Sequence, residues 1–339
     1  MPFIELGRRS RRFCRGLASP LTDRAKFDQW VARSDSDRFR GLVVCRTDDG
    51  QMVGVVNLSE IVGGIFRSAY MGYHVFAPYA RQGYIDHSDS MGAAARFGRG
   101  DVQWMTAGGG VVHAAMFPLL DRDGPNTVEL FQIWLNLPPE DKLVEPHFSM
   151  LWDTEVPRLT ETRGGEVEVE VTVIAGALGD LRPPAPPPRS WAARPDTDVA
   201  IWHLRLAPGG RWVLPAAAGA DTVRTLYVFD GAGLRVGAHD LSPSTGAVVR
   251  CDRPVEVTAP GGVEVLVLQG RPIGAPVAQY GPFVMNTEDE IRAAMRDYQR
   301  TEFGGWPWPA DDPVHGRDPA RFARHADGRE ERAPASTVS

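Results

Sequence analysis

Short runs in which every second residue is apolar recur along most of this chain and constrain its fold more than any other feature. Examples are Val128–Trp134, Val167–Ile174 and Val263–Leu268. A period of two places one set of side chains in a core and the other in water, as in a β-strand. The 36 glycines and 28 prolines are spread along the chain as turn signals between these runs. The pattern predicts a mainly β protein with two β-barrels or sandwiches in tandem.

Composition excludes several classes of protein. The formal net charge of −6 argues against a surface built to neutralise phosphates, so we expect no nucleic-acid partner. No apolar run approaches the roughly 20 residues that a bilayer span needs, so we expect no membrane partner either. Cys14, Cys45 and Cys251 are too widely separated to indicate a disulfide framework or a metal pair. A reducing cytoplasm is therefore the expected location.

The chain divides by pattern into five segments. A capping box at Thr287 and Glu290 precedes apolar residues at helical spacing, which predicts a C-terminal helix. A hairpin is predicted where Leu42–Cys45 and Val53–Val56 flank an Asp-Gly turn. The expected segments are a mixed α/β segment (1–84), a first barrel (85–182), a proline-rich linker (183–197), a second barrel with the helix (198–306) and a disordered tail (307–339).

Five sequence blocks, in order, resemble the pirin family over residues 85 to about 305. They are Asp86–Gly92, Gly100–Gly108 leading into Val112–His113, Phe131–Pro138, Val173–Gly176 and Gly281–Thr287. The resemblance implies a bicupin, with tandem cupin barrels and a C-terminal helix. It also implies a small-molecule pocket in the first barrel.

Residues 1–84 resemble instead the front half of a GNAT-type acetyltransferase. The resemblance rests on Gly54–Ile61, Tyr73–Pro78 and Arg81–Tyr84, the last being like the start of a pyrophosphate-binding loop. We therefore expect a remodelled N-terminal α/β segment that completes the first barrel. In this interpretation Ala69–Phe76 takes the place of the pirin strand that carries metal ligands.

The pirin resemblance implies four iron ligands, from a His-x-His pair and a His-x-Glu pair. Counted without gaps, these positions fall on Ala69, Met71, His113 and Ala115, so one ligand of four is retained. A mononuclear iron site needs about three protein ligands. We predict no cofactor. Iron or another divalent metal is expected only if a site has been rebuilt from His74, His87 and His113.

The remaining candidates concern the pocket of the first barrel. Alternation places Gln132 and Trp134 on one face of a predicted strand, and an inward amide would orient a small ligand. The catalytic candidates are His113, Gln132 and His87, and the pocket candidates are Trp134, Phe131, Met71 and Ala115.

Three functions remain open, with a distant fourth. The first is a metal-independent enzyme that acts on a small aromatic or polyketide-like molecule by acid–base catalysis. The second is a pirin-type metal-dependent dioxygenase, like a quercetinase, with a rebuilt site. The third is a non-catalytic binding protein or transcription coregulator. An acetyl-CoA-dependent acetyltransferase is the fourth.

Overall fold

The computed structural model describes residues 83–122, 126 and 128–335, together with the backbone of four strands between residues 35 and 75. The chain divides into two compact units. One comprises residues 1–84 and 119–130, and the other comprises residues 85–118 and 131–339.

The first unit contains a four-stranded antiparallel sheet with its strands in sequence order. The predicted hairpin is confirmed, because Val44 pairs with Gly54 across the second and third strands. The strands are β1 (Asp35–Ser36), β2 (Phe39–Cys45), β3 (Met52–Val62) and β4 (Ser68–Val75).

The second barrel contains a six-stranded sheet and a four-stranded sheet. The larger sheet includes two strands between residues 158 and 175, a region that we predicted to belong to the first barrel (85–182). The larger sheet has the order β10-β11-β12-β19-β14-β17 and the smaller has the order β13-β18-β15-β16. The strands are β10 (Arg158–Arg163), β11 (Glu166–Ala175), β12 (Ala200–Leu206), β13 (Arg211–Leu214), β14 (Val223–Gly231), β15 (Leu234–Val236), β16 (His239–Leu241), β17 (Thr245–Val249), β18 (Val255–Thr258) and β19 (Val263–Gly270).

A large core, mainly aliphatic but including Trp202 and Trp212, lies inside the second barrel. Alternate residues Val169, Val171 and Val173 of β11 are fully buried, as the period of two predicts. They share a single cluster with Leu204 of β12 and Leu226 of β14. Burial of apolar side chains from both sheets therefore stabilises this barrel.

The first barrel draws its strands from both ends of the second unit. Its five-stranded sheet has the order β23-β22-β6-β5-β8, and β7 pairs with β9 in a two-stranded sheet. The strands are β5 (Tyr84–Asp89), β6 (Ala94–Gly98), β7 (Val102–Thr106), β8 (His113–Met116), β9 (His147–Leu151), β22 (Phe322–Arg324) and β23 (Glu330–Arg332).

The C-terminal tail differs from the prediction. Residues 307–335 were expected to be disordered, but β22 pairs with β6 and with β23. That Ala69–Phe76 takes the place of the pirin strand that carries metal ligands stays a prediction, because β4 belongs to the sheet of the other unit. β4 pairs with β3 in the separate four-stranded sheet, whereas the tail strand β22 lies beside β6.

The run Val128–Trp134 is not a strand in the described structure. Alternation indicates that a segment can form a strand, but a strand also requires a hydrogen-bonded neighbour. Phe131 and Trp134, at the end of this run, are exposed and lie outside any described strand.

The predicted C-terminal helix is confirmed as α1 (Glu288–Thr301), and it follows a short hairpin of β20 (Ala278–Tyr280) and β21 (Phe283–Met285). Thr287 and Glu290 form the expected capping box, and Ile291 is buried. None of the helices in the described part of the chain is long and apolar enough to span a bilayer.

Candidate functional site

Two of the predicted site residues, His87 and His113, lie beside each other in the first barrel. Antiparallel pairing of β5 with β8 places Asp89 opposite His113 and His87 opposite Ala115. The two imidazole centroids are 5.6 Å apart. We call His87, Asp89 and His113 the histidine cluster.

Asp89 is buried, and both of its carboxylate oxygens accept hydrogen bonds. Oδ1 accepts from the backbone N–H groups of Met91 and Ala93, each at 2.9 Å. Oδ2 lies 3.1 Å from Nε2 of His87, which is only 1% exposed. Because an ionised carboxylate only accepts, Nε2 of His87 carries the proton, and the orientation of that ring is fixed.

His113 is the accessible member of the cluster. It follows a glycine-rich turn in which Gly108 has a φ of +50°, and an added Cβ there would lie 2.0 Å from the carbonyl oxygen of Val144. His113 keeps an exposed surface, but barrel atoms crowd its imidazole. This desolvation lowers its pKa; His87 lowers it further and Asp89 opposes the shift. The ring is therefore neutral near pH 7. Within the described residues its imidazole has no hydrogen-bond partner.

A cleft of about 160 Å³ opens beside the histidine cluster and shares Asp89 with it. Its floor is apolar and includes Met91, Met105 and Phe148. Phe148 is buried and belongs to the small core of the first barrel. The cleft therefore reaches from the surface into that core.

The rim of the cleft is polar, and the tail supplies most of it. His325, Asp327 and Arg329 come from the hairpin between β22 and β23, whereas His147 begins β9. The ring of His325 stacks on Phe148 with centroids 4.6 Å apart. Desolvation lowers the pKa of His147, and the charges of His325 and Arg329 lower it further, with Asp327 opposing.

The tail also contacts the backbone of the strand that carries the cluster. Nε1 of Trp308 donates to the carbonyl oxygen of Asp89 at 2.8 Å. Nε2 of His315 lies 2.8 Å from the carbonyl oxygen of His87, so it carries a proton and donates. These contacts hold β5 at the two residues that bear cluster side chains.

A buried ion pair joins the tail to the same sheet. The guanidinium of Arg96 contacts both carboxylate oxygens of Asp86, at 2.7 and 2.6 Å, and neither side chain is exposed. Arg96 also donates to the carbonyl oxygens of Gly316 and Asp318 in the tail. All charged partners in this arrangement are satisfied by hydrogen bonds, as burial requires.

Several predicted pocket residues do not line the cleft. Gln132, Phe131 and Trp134 are exposed, so the prediction of an inward Gln132 amide is wrong. The Phe131 ring instead lies against Phe229, with centroids 4.7 Å apart. Ala115 is exposed on β8. The remaining candidates, Met71 and His74, lie on β4, whose side chains are outside the described residues.

Sequence reasoning missed His147, His325 and Arg329. His325 and Arg329 lie in the tail, which we predicted to be disordered because it consists of Pro, Asp, Arg and Ala with few apolar anchors. The position of His325 and Arg329 depends on the pairing of β22 with β6, whose residues are more than 200 positions apart in sequence.

Comparison with known proteins identifies the family. The sequence profile of the family Pirin matches residues 50–135, and that of the Pirin C-terminal cupin domain matches residues 201–304. A provisionally named quercetin 2,3-dioxygenase of Pseudomonas aeruginosa is 34% identical over 245 residues, which are 72% of this chain and 81% of that protein. The chain belongs to the pirin family.

Other relatives agree with this assignment. Human pirin is 28% identical over 248 residues, covering 71% of this chain and 78% of its own. A crystal structure titled quercetin 2,3-dioxygenase from Acinetobacter baumannii superimposes with a TM-score of 0.57 at 30% identity, covering 67% of this chain and 74% of that one. The mainly β bicupin fold of the pirin family is therefore shown. The Pirin match begins at residue 50, inside the segment that resembled an acetyltransferase, and that finer resemblance is unsupported.

The described residues do not fit the iron site that the pirin resemblance implies. Ala115 has only a methyl group where the resemblance implies a glutamate ligand. Nε2 of His87 is already bound to Asp89. In the described part of the chain, no group of three or more His, Cys, Asp or Glu side chains is arranged to hold a metal ion. His87 and His113 meet, but the third member of the suggested rebuilt site, His74, lies outside the described side chains.

Proposed function

We propose that this pirin-family protein binds a small aromatic molecule in its first barrel and acts on it by acid–base chemistry that needs no metal. The observation that carries the proposal is His113. It is accessible, its pKa is lowered, and its imidazole has no hydrogen-bond partner within the described residues. A neutral imidazole with an unused nitrogen is suited to accept a proton from a bound hydroxyl group.

The neighbours of His113 have supporting roles in this proposal. When His113 takes up a proton, the carboxylate of Asp89 stabilises the positive charge, since it already opposes the lowering of the His113 pKa. His87, held by Asp89 at 3.1 Å, is a positioning residue that keeps the ring of His113 in place. The cleft beside the cluster supplies an apolar surface for the ring of the ligand.

The test is turnover of a panel of hydroxylated aromatic compounds by full-length protein treated with EDTA. We expect turnover to survive metal removal and to fall about 10²–10⁴-fold in His113→Ala, the usual contribution of a general base. His239→Ala, on β16 of the second barrel, is the matched control and should keep full activity. Turnover that requires added metal, or that His113→Ala leaves unchanged, would overturn the proposal.

The dioxygenase is the second candidate, because similar proteins bear the name quercetin 2,3-dioxygenase. It would need donors from outside the described side chains, with His74 as the first choice. Oxygen uptake with quercetin after addition of iron(II) tests it, and His74→Ala should abolish the uptake if His74 binds the metal. Tight ligand binding with neither oxygen uptake nor turnover would favour the non-catalytic alternative.

A further inference from the structure

The size of the cleft restricts its ligand. Its volume is about 160 Å³. Pockets for drug-sized ligands are usually about 300–1,000 Å³, whereas an engineered cavity of about 150 Å³ binds benzene. The cleft therefore matches one aromatic ring and is too small to enclose a fused multi-ring molecule.

The floor of the cleft fits an aromatic ring. Met91 and Met105 present flexible, polarisable thioethers, which make favourable contacts with ring edges. Phe148, 6% exposed, lies between the cleft and the barrel core. None of these three side chains can form a hydrogen bond of ordinary strength, so the floor selects for an apolar ring.

The acidic groups around the cleft are already engaged. Asp89 accepts from His87 and from two backbone N–H groups. Oδ1 of Asp327 accepts from the backbone N–H of Arg329 at 2.9 Å, which closes the hairpin turn. These carboxylates therefore stabilise the protein's own structure.

The cationic group on the rim, the guanidinium of Arg329, makes weaker contacts within the protein than these carboxylates do. The guanidinium of Arg329 is half exposed and lies 3.5 Å from Oε2 of Glu331, a long contact for an ion pair. An arginine carries five N–H donors, so most of these remain for a ligand. His147 lies on the same rim, and its imidazole has no hydrogen-bond partner within the described residues.

We propose that the cleft binds a single-ring aromatic anion, such as a benzoate-like carboxylate, and that Arg329 of the tail hairpin and His147 of β9 bind its acidic group. The ring lies on Met91, Met105 and Phe148, and the acidic group faces the rim. The tail is then a specificity-determining part of the first barrel. This inference deepens the proposed function and rests on it for the location of the site.

Calorimetric titration of the full-length protein with benzoate tests the inference, with benzamide as an uncharged probe of the same shape. We expect benzoate to bind at least tenfold more tightly than benzamide. Arg329→Gln should remove most of this preference while benzamide affinity stays unchanged, because the ring contacts remain. His147→Gln should weaken benzoate binding less, since it removes a hydrogen bond and no full charge.

Arg292→Gln is the matched control, because Arg292 is an exposed arginine on α1 with a similar acidic neighbour. It should bind benzoate like the unchanged protein. Equal affinity for benzoate and benzamide, or an Arg329→Gln variant that keeps the preference, would overturn the inference. Both exposed arginines can be replaced without disturbing a core, and a thermal melt verifies folding.

Turnover and benzoate binding, measured separately, distinguish a failure of this inference from a failure of the proposed function. His113→Ala should lose turnover but retain benzoate binding, because Arg329 and His147, which are proposed to bind the acidic group, are unchanged. Benzoate binding without any turnover would leave the inference standing and contradict the proposed function. Metal-independent turnover without a preference for benzoate over benzamide would support the proposed function and contradict this inference.

Discussion

The two barrels of this protein are stabilised in different ways. The second barrel encloses a large aliphatic cluster contributed by its own strands. The first barrel has a small, alanine-rich core and needs a strand from the tail, more than 200 residues farther along the chain. Its fully buried side chains include an ion pair, Asp86 with Arg96. The second barrel therefore rests mainly on hydrophobic burial, with Arg224 also buried in it, whereas the first barrel adds a buried ion pair to a smaller described core.

This difference places the candidate site in the first barrel. Buried polar groups of the first barrel fix orientation, as Asp89 does for His87, and leave an open cleft beside them. The interior of the second barrel is filled mainly by leucine and valine side chains, together with Trp202 and Trp212. Substitutions in the buried ion pair of the first barrel and in the apolar core of the second barrel should therefore have different effects on stability and on ligand binding.

The largest effect is expected from Arg96→Met. It leaves the carboxylate of Asp86 buried without its partner and removes the donors to Gly316 and Asp318 in the tail. Loss of one member of a buried pair costs about 3–5 kcal/mol. Urea denaturation should show this loss, and proteolysis should cut the freed tail more rapidly.

The double variant Arg96→Met with Asp86→Leu is the control for this prediction. Removal of both charges should recover part of the stability, since no unpaired charge remains buried. A single variant as stable as the unchanged protein would show that the pair does not hold the first barrel together.

The next largest effect is expected from Leu226→Ala in the second barrel. Leu226 is fully buried in the aliphatic cluster, and such a truncation costs about 2–5 kcal/mol. Urea denaturation measures it, with the exposed Val248→Ala as a matched control of little effect. Benzoate binding should stay intact under native conditions. Loss of benzoate binding in Leu226→Ala would show that the cleft of the first barrel depends on the core of the second barrel.

A smaller effect is expected from His315→Ala, which deletes the hydrogen bond to the carbonyl oxygen of His87 and the contact with Ser88. A hydrogen bond contributes about 0.5–1.5 kcal/mol. Hydrogen exchange at β5 and β22 should become faster while exchange in β14 stays unchanged. Uniform acceleration across both barrels would contradict a local role for the tail.

The smallest expected effect is the change of folding stability with pH. His113 and His147 both have a pKa below the ordinary value of 6.5, mainly because of desolvation. The unfolded chain therefore takes up protons more readily, and stability falls as the pH drops through 6.5 and below. Histidine NMR titration should give both pKa values below that of an unfolded reference peptide. Values at or above the reference would show that neither ring is withdrawn from water.

Local patterns predicted the second barrel better than the first. Alternation located β11 and β19, and the capping box at Thr287 located α1, because these signals depend on neighbouring residues. The order of the tail depends on distant partners, such as Arg321 with Asp101 at 2.6 Å, which no local period reveals. Alternation also misassigned Val128–Trp134, since it does not show whether a strand has a neighbour.

The site was predicted in the same uneven way. His87 and His113 were predicted as site residues because the pirin resemblance covers their strands, and the structure places their rings 5.6 Å apart. Gln132 was predicted from the face of a strand that the described structure does not contain. That His147 and Arg329 line one cleft could not be predicted, because the cleft forms only where the tail packs on the first barrel.

The decisive measurement is an NMR titration of the histidine ring resonances of the full-length protein, after metal has been removed with EDTA and dialysis. It tests whether the first barrel binds an aromatic anion and does not hold a metal at His87 and His113. We expect benzoate to shift the resonances of His147 and His325, and we expect one equivalent of zinc, as a diamagnetic probe, to leave those of His87 and His113 in place. Resonances of His87 and His113 that respond to one equivalent of zinc, with no response of the cleft histidines to benzoate, would contradict this expectation.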